Sequence, residues 1–400
     1  MTAAKRIAIV GAGLGGLAAA IALRQQNFEV DVYEQAAELG AFGAGINLSA
    51  NAVKVFDALG LKARLHEVSF EPAGHAWRNW TSGVASRVLP LDQSTSRYGS
   101  NYYIMHRGDL HRLLCEAVPA ANIHMNKRCA GVELRDRSAV ISFADGTSTE
   151  ADVVIGADGI HSAVRRDVFG GAGARYAGTM CWRSLIAAES LPADLHDRCV
   201  NHWTGTGHDR FVISYFVRQG KYINILAVMR QPEWTSESWS EPSTREEMLA
   251  SFGDVGPGLA KLLGQAKDVF KWGQFSGEPA AEWTRGRVAL LGDAAHAMLA
   301  TWGQGACMAF EDSYILARWL AHFRDDLATG LERYEAIRKP RANRIQAMSR
   351  LEVRFKKQSS LWDKLYREWV YLSRFGSTTP GIYQWIYGYD PVKQWEQAIY

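Results

Sequence analysis

Between Ile7 and Glu34 the chain reads IAIVGAGLGGLAAAIALRQQNFEVDVYE, and this stretch limits the possible folds more than any other. Four apolar residues, Ile7 to Val10, run straight into Gly11-Ala12-Gly13-Leu14-Gly15-Gly16. An alanine-rich helix is predicted next, then a strand over Glu29–Tyr33 that closes on Glu34. The pattern is a βαβ unit with G-x-G-x-x-G at its first turn. Gly11 permits the tight turn, Gly13 lets the backbone approach a pyrophosphate, and Gly16 lets the helix pack close to the sheet. The free N–H groups and positive dipole end of that helix would receive the pyrophosphate. Glu34 lies 23 residues after Gly11, where a carboxylate can accept hydrogen bonds from a ribose diol. A glycine turn without a ligand would leave that carboxylate unexplained. The expectation is therefore an adenine dinucleotide on a Rossmann-like α/β domain.

At 400 residues the chain has room for two domains. Its net charge of +3 is too small to argue for nucleic acid or an anionic membrane as a partner. The cysteines (Cys115, Cys129, Cys181, Cys199 and Cys307) are odd in number, scattered and never in C-x-x-C spacing. A disulfide framework and a metal site are both disfavoured, and a reducing compartment fits. No charged-then-apolar leader and no long uncharged apolar run is present, so a cytoplasmic location is expected.

After Glu34 comes a glycine-dense turn, Gly40 to Leu48, then an amphipathic helix over Ala50–Leu59. Such a turn marks either close approach to a ligand or simply a tight loop. Phe70 to Tyr103 is rich in strand formers and turn residues. A helix is predicted to open near Asp109, a residue type suited to capping. Arg107 just before it suits a phosphate or flavin contact, or a surface ion pair. Strands are expected at Ile123–Met125, Ala130–Leu134 and Ala139–Phe143, with Asp145-Gly146 as a hairpin turn. A buried-type strand then ends in Gly156-Ala-Asp158-Gly159, with a helix from near His161. Asp158 stands at a strand's carboxyl end, the ligand-binding edge of open α/β sheets. It can cap the helix and touch a ligand at once.

From Arg175 to Phe275 the pattern changes to alternating strands: Cys181–Ala187, Phe211–Val217 and Tyr222–Met229. This reads as an inserted antiparallel sheet of aromatic character, its aromatics serving either the core or a ligand. The α/β pattern returns with a strand over Arg287–Leu291, then Gly292-Asp293, then a loop opening a long helix at Gly303–Gly305 that ends near His322. Helices over Thr329–Arg350 and Val353–Leu372 follow, and the aromatic segment Trp385–Gln397 should pack on the body. The expected organisation is a discontinuous cofactor domain (1–174 and 276–350), a substrate domain (175–275) and a C-terminal helical segment (351–400).

Taken together, GAGLGG…E, GADGIHSAVR and LLGDAAH…GQGACMAFED resemble the single-component FAD-dependent aromatic hydroxylases, the para-hydroxybenzoate hydroxylase class. Within the class, HRGDLH, GACMAFED and WIYGYD look most like the 6-hydroxynicotinate 3-monooxygenases and 3-hydroxybenzoate 6-hydroxylases, and DAAHAML is similar to salicylate hydroxylases. The resemblance implies that Gly11, Gly13, Leu14, Gly15, Gly16 and Glu34 hold the adenosine half of FAD. It implies that Arg107 contacts FAD beside the pyrophosphate and that the backbone near Cys129 meets the adenine. Asp158 belongs to a motif associated with FAD and the nicotinamide cofactor, and Asp293 faces the ribityl and phosphate portion. Gly305 and Ala306 place N–H groups near the flavin pyrimidine edge.

The implied chemistry is reduction by NADH or NADPH, addition of O₂ to give a flavin C4a-hydroperoxide, and oxygen transfer to an electron-rich ring. The single G-x-G-x-x-G agrees with a class lacking a separate nicotinamide domain. Tyr215 matches a substrate-contacting tyrosine and is the leading candidate for binding or activating a ring hydroxyl, with His106 and Arg183 behind it. Cys199 matches a pocket-side cysteine. The chain departs from these relatives at Asn47 and Phe211, where they tend to carry His, and at Trp302, where prolines usual after the motif's His are absent. The expected substrate is a hydroxylated aromatic or N-heteroaromatic acid. A polycyclic, quinolone or antibiotic substrate, or flavin binding without oxygenation, are the alternatives. A monomer or homodimer is expected.

Overall fold

A computed structural model describes residues 4–40, 44–171, 173–205, 209–236, 241–355 and 380–399. The apolar run Arg6–Val10 forms the centre of a six-stranded sheet. It pairs in parallel with Glu29–Tyr33 on one side and Val153–Gly156 on the other, and Ile123–His124 and Val288–Leu290 extend the sheet outward. Only the edge strand Thr284–Arg285 runs antiparallel. Strands this apolar are buried on both faces, as parallel sheets require.

Small side chains explain how the helix Leu14–Gln25 can be buried almost throughout. A Cβ at Gly15 would stand 2.8 Å from Leu291 and 3.1 Å from Ala309, so the helix rests directly on the strand end and on the helix Gly305–His322. The Ser313 hydroxyl donates to the Gly15 carbonyl across that contact at 3.1 Å.

The aromatic insert forms an eight-stranded sheet ordered Glu241–Pro242, Phe270–Ser276, Arg175–Ala187, Tyr222–Arg230, Arg210–Val217, Val200–Thr204, Gly74–Asn79, Ala85–Pro90. Two corrections follow. The sheet is not confined to 175–275, because its last two strands come from the turn-rich segment after Phe70. Nor is it wholly antiparallel, since Val200–Thr204 runs parallel to Gly74–Asn79. One face buries its own core, including Trp182, Trp203, Val212 and Phe252.

The expected helix Thr329–Arg350 is part of a longer one, Leu327–Phe355, while most of the expected helix Val353–Leu372 lies outside the described residues. Residues 41–43 of the glycine-dense turn also lie outside them. The aromatic C-terminal segment forms helices Pro380–Tyr387 and Pro391–Ala398, and it packs on the body through Ile386 and Trp395. Among the described residues, no helix is long and apolar enough to cross a membrane.

Candidate active site

Three strand ends converge on one place. At the first, Gly11 has φ +104°, and a Cβ there would lie 2.5 Å from the Ala157 carbonyl oxygen. A Cβ at Gly16 would lie 2.0 Å from the Gly11 carbonyl oxygen, so both positions exclude any side chain. Gly13 differs. Its φ is an ordinary −71°, and a Cβ would meet nothing within 4 Å, yet the residue lines a large cavity. Its missing side chain leaves room above a helix N-terminus rather than relieving a clash, which fits a phosphate ligand. Glu34 stands beside this turn, its Oε2 accepting from the Ala12 N–H at 2.8 Å and its Oε1 from the Ala36 N–H.

At the second corner Asp158 follows the strand Val153–Gly156 and caps the next helix. Its carboxylate accepts from the Ser162 hydroxyl at 2.5 Å and from the N–H groups of Ala163 and Val164 at 2.7 and 3.2 Å. The helix thus starts after Ser162, close to the expected start near His161. Burial raises the carboxyl's pKa against these bonds.

The third corner brings Asp293 to the start of a short helix, with its side chain exposed to the cavity. Desolvation by the surrounding protein raises its pKa, while His296 and Arg107 oppose the rise. A Cβ at Gly305 would lie 3.9 Å from Asp293 Oδ1, so the N-terminus of the helix Gly305–His322 adjoins this carboxylate. Arg107 stands here as the first residue of the helix Arg107–Glu116, with its side chain exposed to the cavity. Asp109 does not cap that helix, correcting the expectation. It sits in the first turn and binds Arg218 at 2.9 Å and Arg112 at 2.8 Å.

A cavity of about 910 Å³ joins the three corners to the open face of the large sheet. That volume suits a cofactor head and a small ring compound. The wall follows the two-residue period of a strand. Phe211, Ile213 and Tyr215 line the cavity, whereas Val212 and Phe216 turn into the core behind. Of the residues expected from sequence, Gly13, Leu14, Gly15, Asn47, Arg107, Asp158, Arg183, Phe211, Tyr215, Asp293, Trp302, Gly305 and Ala306 all line it. Cys129 and Cys199 do not, and burial pushes both thiols up to about 11. His106 also falls outside the wall and faces Asp109 at 3.9 Å.

Each wall residue has a local reason for its position. Tyr215 lies against Gly45, where a Cβ would come 2.5 Å from the phenol oxygen, and burial raises its pKa. Its hydroxyl therefore keeps its proton. Asn47 does not project freely: its amide donates to the Gly303 carbonyl at 3.1 Å and ties down the loop carrying Trp302. Trp302 packs near Tyr383 of the C-terminal helix, with ring centres 6.3 Å apart. Arg183 lays its guanidinium over Trp272 at 5.2 Å, and burial lowers its pKa.

Sequence reading missed His75, His202, Trp77, Tyr102, Tyr383 and Tyr387, all in the wall. The alternation in GHAWRN and VNHWT was the available signal, but both strands are short. Behind the site, Glu311 and Asp312 meet Arg338 at 2.6 and 2.8 Å, His296 lies 2.6 Å from Asp312, and Arg341 holds Glu311 at 2.8 Å. This buried cluster fixes the two helices that present Asp293 and Gly305.

Residues 5–349 match the family described as FAD binding domain. The chain is 39% identical over 359 residues to 6-hydroxynicotinate 3-monooxygenase of Pseudomonas fluorescens, covering 87% of this chain and 91% of that one. It is 38% identical over 347 residues to 3-amino-4-hydroxybenzoate 2-monooxygenase PtnB3 of Streptomyces platensis, covering 86% and 87%. Klebsiella pneumoniae HpxO, solved with FAD and uric acid, superposes with a TM-score of 0.82 at 27% identity, covering 98% and 95%. The chain belongs to the FAD binding domain family and is an enzyme of the flavoprotein hydroxylase class.

Proposed function

From that membership we propose that this protein is an FAD- and NAD(P)H-dependent monooxygenase that hydroxylates a hydroxylated aromatic or N-heteroaromatic acid. One observation carries the reading: a single cavity runs from three glycine-and-aspartate corners to a sheet face patterned with aromatic and polar side chains. Gly13, Leu14, Gly15, Arg107, Asp158, Asp293, Gly305 and Ala306 would hold the FAD. When bound and reduced by NADH or NADPH, it supplies oxygen from O₂ in a form able to attack the ring. The protein orients the ring, keeps water out and places Tyr215 to donate to a ring substituent. Arg183 offers a cation for a carboxylate, since among the described residues no carboxylate pairs with it. The five free thiols support a reducing, cytoplasmic setting, with a role in aromatic catabolism as a monomer or homodimer.

Phe211 and Trp302 in the wall favour a second reading, in which the ring system is larger and lacks an acid group. Flavin binding without oxygen insertion is the third. To separate them, hydroxybenzoates, hydroxypyridine carboxylates and quinolones are screened for stimulated NADH or NADPH oxidation, followed by mass spectrometry for one added oxygen. The acid reading predicts stimulation and oxygen insertion with the first two groups. Response to quinolones alone selects the second reading, and no insertion with any compound selects the third.

A further inference from the structure

The substrate wall contains two imidazoles that touch each other. His75 and His202 stand on the parallel strands Gly74–Asn79 and Val200–Thr204, where Val200 pairs with His75 and His202 with Trp77. His75 Nδ1 lies 3.0 Å from His202 Nε2, within hydrogen-bond distance. The other ring nitrogen of His75, Nε2, is buried and has no hydrogen-bond partner. An unpaired buried nitrogen is destabilising unless something supplies a partner. Both residues line the cavity, where a turn of the His75 ring would open Nε2 to a bound ring compound.

We propose that the His75–His202 pair takes the proton from a ring hydroxyl of the substrate and passes it away from the reacting ring. The inference rests on the hydroxy-acid reading above. With Nε2 of His75 as acceptor, Nδ1 carries the proton and donates to His202 Nε2. The substrate O–H bond breaks and an N–H bond forms at His75 Nε2. The Nδ1–H bond of His75 then breaks as one forms at His202 Nε2. Substrate is left as phenolate and the positive charge rests on His202. That charge has a seat, because the His202 ring stacks on Trp77 with centres 5.2 Å apart and planes 11° from parallel.

The groups facing His75 are consistent with this role. His202 stands across the strand pair, Tyr102 meets the ring edge at 5.5 Å, and Tyr387 and Tyr215 stand beyond Tyr102. Burial holds all three phenols protonated, and it pushes His75 down to about 4, so the imidazole awaits substrate in its neutral form. Tyr215 donates and the histidines accept, which divides the work that one tyrosine cannot do alone.

The test uses FAD-loaded enzyme and 4-hydroxy-3-nitrobenzoate, whose phenolate is coloured. The relay predicts that wild type lowers the ionisation midpoint of the bound probe. His75→Gln and His202→Gln should keep their flavin spectrum and bind the probe, yet raise that midpoint by about one pH unit, a roughly tenfold loss of phenolate at a fixed pH. Should the glutamine variants fail to fold, His75→Asn and His202→Asn serve in their place. Variants that ionise the bound probe as wild type does would overturn the relay and leave the proposed function standing. A wild type that retains FAD but binds the probe in neither form would overturn the hydroxy-acid reading, and the relay with it.

Discussion

Tyr215 occupies the space that a side chain at position 45 would need: a Cβ on Gly45 would come within 2.3 Å of its ring. Gly45, in the glycine-dense turn after Glu34, therefore shapes the cavity wall. Gly45→Ala should displace the tyrosine and weaken binding of the aromatic acid by about tenfold or more, with FAD content unchanged. Tyr215→Phe, which keeps the shape and removes the hydroxyl, should slow hydroxylation while leaving the pH profile in place, because the buried phenol does not ionise in the working range. Stopped-flow turnover and ligand titration measure both effects. A Tyr215→Phe enzyme with a shifted profile would show that the phenol titrates after all.

Gly13 and Gly16 should separate folding from cofactor binding. Gly13→Val puts its side chain into open space on an ordinary backbone, so apo-protein stability should move by less than about 0.5 kcal/mol. FAD affinity should fall at least tenfold. Gly16→Val drives a side chain into the Gly11 carbonyl and should lose both. Calorimetry of the apo form beside flavin absorbance distinguishes them, and a Gly13→Val protein with full flavin content would contradict the placement.

The buried ion cluster sets an acid limit. Burial alone would raise Glu311 and Asp312, but Arg341 and Arg338 on the first and His296 and Arg338 on the second hold both below the ordinary carboxylate range. Depressed folded pKa values give stability that is complete above the unfolded value and lost as pH falls through the folded one. Arg338→Met leaves two buried carboxylates undercompensated and should cost about 3–5 kcal/mol at pH 7. The sign then reverses, because those carboxyls now bind protons more readily folded than unfolded. The variant should regain part of the loss on acidification from pH 7 to about pH 5, where wild type stays flat. Denaturant melts across pH decide this, and a variant that only weakens in acid would refute the assignment.

The C-terminal helix is hooked onto the body by Lys54, whose ammonium donates to the carbonyls of Gly388 and Tyr389 at 3.2 and 3.0 Å. Tyr383 and Tyr387 on that helix complete the cavity wall. Lys54→Met should loosen the wall and raise KM for the aromatic acid severalfold, with kcat and FAD content near wild type. Steady-state kinetics with the best acid from the screen provide the check, and an unchanged KM would remove the helix from the site.

What the sequence displayed clearly was whatever depends on neighbours in the chain. Gly16 and Asp158 meet groups only a few residues away, the Gly11 carbonyl and the cap at Ser162 to Val164, so their places stood in consecutive letters. The parallel sheet was visible because Ile7–Val10 and Val153–Ile155 are continuous apolar runs. Gly74–Asn79 escaped because its place is set by a partner more than a hundred residues away, Val200–Thr204, and neither strand is long enough to show its period. Asp109 misled for a related reason. Its type suits a cap, but a distant Arg218 claims the carboxylate. The two histidines acquire meaning only as a pair, and their pairing exists only once the sheet has formed.

Along Arg210–Val217, successive letters belong alternately to the chamber and to the packed layer behind it. Heritable change at Phe211 or Ile213 can thus alter which molecule is welcomed while Val212 and Phe216 keep the insert standing. An ancestor with one diet could acquire another through a few such replacements, with no interval of unfolded descendants between them.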